Sequence, residues 1–131
     1  VTKQKILIVD DEVDLVRSLS IWLCANGYEV VTATDGVEAT KMAIHEQPDV
    51  IILDIGMPAG DGHVVAERLR DSPKTWPIPI IFLTASASEQ DHQRATEQGA
   101  VMYITKPFDP DKLLTAIGAI LSSEKADLTG S

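Results

Sequence analysis

A single cysteine, Cys24, excludes any internal disulfide in this 131-residue chain. It lies in an apolar helical stretch and reads as a small core or near-core residue, not a nucleophile. Aromatic residues make up only 5% of the sequence, which leaves little to wall a flavin. No run reaches the roughly 18 apolar residues that a membrane span requires. No basic-then-apolar start suggests a secretory leader, so a reduced cytoplasmic setting is expected. Positive charge is also scarce. The formal net charge of −9 repels phosphates and argues against direct contact with nucleic acid or anionic membrane. The same charge suits a pocket that attracts a divalent cation.

What the chain does have is hydrophobic content of 44%, arranged in short β-branched runs. That is enough for one packed core, and the length fits one domain. Strand-like runs near 5–9, 28–33, 50–54, 79–84 and 101–105 alternate with helix-like segments. The alternation predicts an α/β fold with a five-stranded parallel sheet. The second run mixes Glu29 and Thr32 with Val30, Val31 and Ala33, and reads as an edge strand. Helix 1 is expected from Val13 to Ala25, stopped by Asn26-Gly27. Helix 2 follows Asp35 as N-cap and ends before Pro48. Helix 3 spans Asp61 to Arg70, helix 4 runs from Ser88 to Gly99, and helix 5 from Pro110 to Ser122. The domain is thus expected over 1–122, with a polar, frayed tail over 123–131.

Polar residues close four of the apolar runs. Ile6-Leu7-Ile8-Val9 ends on Asp10-Asp11, Val50-Ile51-Ile52-Leu53 on Asp54, Ile80-Ile81-Phe82-Leu83 on Thr84, and Val101 to Thr105 on Lys106-Pro107. In a parallel sheet these groups converge at one edge. Alone, Asp10-Asp11 reads as a helix cap, Thr84 as a routine strand end and Lys106 as a surface lysine. Asp54 resists such a reading, because an unpaired carboxylate after four apolar residues is costly. Their joint placement points to a metal-assisted phosphate site with a carboxylate nucleophile.

The set Asp10-Asp11, Asp54 with Met57-Pro58 and Asp61-Gly62, Leu83-Thr84-Ala85 and Lys106-Pro107-Phe108 resembles the receiver domain of bacterial two-component response regulators. The resemblance covers about the first 122 residues. It implies a flavodoxin-like, doubly wound three-layer (βα)5 sandwich with strand order 2-1-3-4-5. It implies that Asp54 takes a phosphoryl group from a phosphohistidine of a sensor histidine kinase or phosphotransfer protein. Mg²⁺ is the implied cofactor, ligated directly by Asp11, Asp54 and the Gly56 carbonyl, with Asp10 acting mainly through water. Lys106 and Thr84 would contact phosphoryl oxygens. The Lys106–Pro107 bond would be cis. Thr84 and Tyr103 would form the switch that alters the helix 4–strand 5–helix 5 face, a site for a downstream partner or homodimer. The residues two after the nucleophile and two after the threonine, Gly56 and Ser86, would flank the phosphoryl group and leave it open to water.

The chain departs from the DNA-binding subfamily. Val101-Met102 stand where that subfamily carries two acids, and helix 5 is apolar instead of arginine-rich. The reading is therefore a single-domain regulator or a receiver from a larger regulator or hybrid kinase. It would be a phosphorylation-dependent switch, not an enzyme acting on a separate substrate. An aspartate-nucleophile phosphohydrolase is the alternative, but it would carry a second acid where this chain has Gly56. A flavin carrier would need a hydroxyl-rich loop where this chain has Asp10-Asp11-Glu12. His45, His63 and His92 show no ligand spacing and read as solvated. Trp76 is expected to cover the loop before strand 4, and Trp22 to pack within helix 1's surroundings.

Overall fold

The computed structural model describes residues 3–56, 62–85, 89–97 and 99–128; the side chains of 91, 92, 95 and 123–128 lie outside the description. Strands β1 (Lys5–Val9), β3 (Val50–Asp54) and β4 (Ile80–Thr84) are almost wholly buried. Their continuous apolar sequence follows from that, since helices cover both faces. Strands β2 (Glu29–Ala33) and β5 (Met102–Thr105) form the two sheet edges and are only partly buried. All pairings are parallel, in the order β2-β1-β3-β4-β5, which is the flavodoxin-like doubly wound arrangement.

The helices are α1 (Val13–Ala25), α2 (Gly36–Glu46), α3 (Gly62–Asp71), α4 (Glu89–Glu97) and α5 (Pro110–Leu128). Helices α1 and α5 bury Val16, Leu19, Leu23, Leu113 and Ile117 against Ile6, Ile8 and Ile52 on one face of the sheet. On the other face, α2 and α3 bury Ala43, Val65, Ala66 and Leu69 against Leu7, Leu53 and Phe82. Asp35 caps α2 by accepting from the Glu38 amide at 2.8 Å. Helix α1 stops where Gly27 takes φ 94°, a left-handed angle that glycine tolerates.

Four expectations need correction. Cys24 is exposed, because it shares the outward row of α1 with Arg17 and Ser20 instead of the row of Leu19 and Leu23. His63 is buried (4% exposed), since it heads the inward row of α3 that continues with Ala66 and Leu69. Helix α5 continues six residues past Ser122 to Leu128, because Glu124, Lys125, Ala126 and Leu128 favour helix and no glycine intervenes before Gly130. Trp76 is exposed; its backbone carbonyl accepts from Arg70 and its amide donates to the Ser72 carbonyl at 2.9 Å. Trp22 packs against the α1–α5 core as expected, and His45 is exposed. The side chain of His92 lies outside the described residues.

Register brings the strand ends together. Val9 pairs with Leu53, so Asp10 falls level with Asp54. Asp54 pairs with Leu83, and Thr84 with Thr105, so Lys106 follows one residue beyond.

Candidate functional site

Asp10, Asp11 and Asp54 converge, each offering a carboxylate oxygen within 4.8 Å of the others. Asp10 is fully buried, Asp54 is 5% exposed and Asp11 faces solvent. Asp10 does not cap α1. One of its oxygens accepts from the Glu12 amide at 2.9 Å and the other from Lys106 Nζ at 2.8 Å. Asp54 is divided in the same way. Its Oδ1 accepts from the Gly56 amide at 2.9 Å, while Oδ2 faces Lys106 Nζ at 3.6 Å.

Burial raises the Asp54 carboxyl above its ordinary value, the Gly56 N–H opposes this, Asp10 adds to it, Lys106 opposes it and Asp11 adds again. Burial alone would pull Lys106 down. The hydrogen bond and charge of Asp10, with Asp54 and Glu12, outweigh it and hold the ammonium above its ordinary range. The site therefore holds crowded negative charge with one lysine facing it among the described residues, and its donor set is carboxylate oxygen. Those are the features that a hard divalent cation requires.

Thr84 is buried at the end of β4, and its carbonyl accepts from the Lys106 amide at 2.6 Å. The Lys106–Pro107 peptide bond is cis. Tyr103 is half-buried, paired in register with Phe82 and packed against the α2–α3 core. Gly56 adjoins Asp54 at the mouth of the site, with no positive φ; among the described residues a Cβ there would meet only Asp54 Oδ1, at 3.5 Å. Met57, Pro58, Asp61 and Ser86 lie outside the described residues. Two features escaped the sequence reading. Glu12 reaches Lys106 at 3.1 Å, a role that its place two residues after Asp10 could have suggested. Gly62 lies so close to β3 that a Cβ would meet Asp54 O and Ile55 Cα at 2.4 Å each.

The response regulator receiver domain is the family whose model matches this chain, over residues 6–118. The chain belongs to that family. This receiver is 46% identical over 120 residues to the probable transcriptional regulator ycf27 of Guillardia theta, covering 92% of this chain and 46% of the relative. It spans about half the length of the curated relatives it first matches. Among solved structures, Vibrio cholerae chemotaxis protein CheY4 has TM-score 0.86 and 34% identity, covering 91% of this chain and 99% of that one. The receiver domain of the Pseudomonas aeruginosa sensor histidine kinase PA1611 has TM-score 0.84 and 28% identity, covering 92% and 99%. That structure has a magnesium ion coordinated in its active site cleft. Receivers are signalling switches, and the phosphohydrolase alternative is not favoured.

Proposed function

We propose that this receiver accepts a phosphoryl group on Asp54 from the phosphohistidine of a sensor histidine kinase or phosphotransfer protein. The observation that carries this reading is Asp54 itself. It is a buried carboxylate with one oxygen held by the Gly56 amide and the other turned towards Lys106. The Asp54–phosphorus bond forms as the donor's phosphorus–nitrogen bond breaks, its electron pair returning to the imidazole. Lys106 supplies positive charge beside the transferred group, and the Thr84 hydroxyl supplies a hydrogen-bond donor. Asp10, Asp11 and Asp54, with the Gly56 carbonyl, would hold Mg²⁺, which when bound offsets charge on the phosphoryl oxygens. Asp10 acts mainly through water in this reading. Thr84 and Tyr103 then report phosphorylation on the α4–β5–α5 face, a surface for a downstream partner or second copy.

The donor also needs a surface. A groove of about 660 Å³ opens beside Lys106, lined by Leu15, Leu19 and Trp22 of α1 and by Pro107 and Phe108. Its place next to Asp54's counter-charge fits a donor helix that presents phosphohistidine. Contact with nucleic acid is not assigned to this chain, whose charge is −9. No helix among the described residues is long and apolar enough to cross a membrane, and a cytoplasmic setting suits the proposed donors. Incubation with Mg²⁺ and acetyl phosphate, read by intact mass, tests the assignment. Wild type should gain one phosphoryl group and Asp54→Asn none; wild-type labelling of Asp54→Asn would overturn it.

A further inference from the structure

The described side chains of α4 are exposed. A side chain from α3 reaches its C-terminal corner. Arg70, in the last turn of α3, donates to the carbonyl of Gly99 at 3.1 Å. Its Nη1 donates to the carbonyls of Trp76 and Ile78, in the segment that leads into β4. One guanidinium therefore binds three carbonyls in two backbone segments, and its five donors in a rigid fork suit that task where a lysine does not. Gly99 fits the arrangement twice. It takes φ 80°, and a Cβ there would approach Arg70 Nε to 3.1 Å. From this corner the chain enters β5, with the Val101 amide bonded to the Ile80 carbonyl at 3.0 Å.

We infer that Arg70 is a tether that holds the α4–β5 corner in its resting place and so sets, from α3, how readily the output face switches. The inference rests on the proposed phosphoacceptor function. The resting arrangement is marked by Lys106, which is engaged by Asp10 and Glu12 at 2.8 and 3.1 Å. A bond made in that arrangement stabilises it against any other in which the corner has moved. Removing the bond should raise the population of displaced corners, since the carbonyls that Arg70 holds, those of Trp76, Ile78 and Gly99, lie outside the acidic site.

Arg70→Met keeps the stem and removes the fork; Arg70→Lys keeps the charge. Amide hydrogen exchange on the whole chain reads the corner at Gly99 and Val101, with Leu7 and Ile8 reporting global opening. Both variants should speed exchange at Gly99 and Val101 by about tenfold, the size of one charge-assisted hydrogen bond lost, while Leu7 and Ile8 change less. Without any phosphodonor, the Met102 and Tyr103 amide resonances of Arg70→Met should lie part-way towards those of wild type treated with acetyl phosphate and Mg²⁺. Unchanged exchange at Gly99 and Val101 overturns the tether. Faster exchange with Met102 and Tyr103 unmoved overturns its regulatory role. If wild type shows no phosphoryl mass and no shift at Tyr103, the phosphoacceptor reading fails instead, which the exchange measurement does not depend on.

Discussion

Asp54 is placed where a carboxylate is uncomfortable, and that discomfort is measurable. Its folded pKa is raised from 3.8, first by burial and then by Asp10 and Asp11. A raised carboxylate pKa contributes stability that is present below the unfolded value and lost as pH rises through the folded value. Asp54→Asn should therefore stabilise the metal-free protein near neutral pH, because it removes a buried charge that faces two other carboxylates. The gain should shrink as pH falls through the folded pKa. Urea unfolding of both proteins along a pH series checks this; a gain that does not change with pH would show that charge is not its cause. Gly62 makes a second residue-scale case. Added carbon at 2.4 Å from Asp54 O must push α3 or β3 aside. Gly62→Ala should cost about 1–3 kcal/mol, as overpacking does. Chemical denaturation measures the loss. Wild-type stability in that variant would mean that the close approach relaxes at no cost.

At the scale of elements, the sheet was legible because burial on both faces forces unbroken apolar runs, and such runs ended at Asp10, Asp54 and Thr84. The strand ends were therefore legible too, and with them the candidate site. Helix faces were harder. Cys24 and His63 each turned on which row of a helix faces inward, and a short window of apolar neighbours does not fix that row. The Arg70 bonds and the Gly62 contact were invisible, because they join backbone atoms that sequence spacing does not locate. The β3–α3 connection carries a further prediction. Among the described residues a Cβ on Gly56 would meet Asp54 Oδ1 at an ordinary 3.5 Å, and no positive φ forbids one. If Gly56 leaves the phosphoryl group open to water, wild type should lose its label quickly, and Gly56→Arg should lose it several-fold more slowly. The decay of phosphorylated mass in saturating Mg²⁺ reads both rates. Equal rates would place the shielding elsewhere.

The whole molecule carries −9, and three of its acids meet at one point. Two effects of a divalent salt are therefore mixed. Any added salt screens the general repulsion among exposed charges, whereas a cation held at Asp10, Asp11 and Asp54 acts only on the folded state. Matching ionic strength separates them. In NaCl the screening contribution alone should appear. In MgCl₂ at the same ionic strength, an extra stabilisation should grow with the logarithm of concentration, reaching about 2.7 kcal/mol at a hundredfold excess over the dissociation constant. Asp11→Ala should lose most of that excess and keep the NaCl response, because Asp11 is exposed and its removal disturbs no core packing. Thermal unfolding of both proteins in both salts gives the four numbers required. If Asp11→Ala retained the full Mg²⁺ excess, Asp11 would not be a ligand. If wild type showed no excess over NaCl, the three carboxylates would be a charge cluster held by Lys106 and not a metal centre.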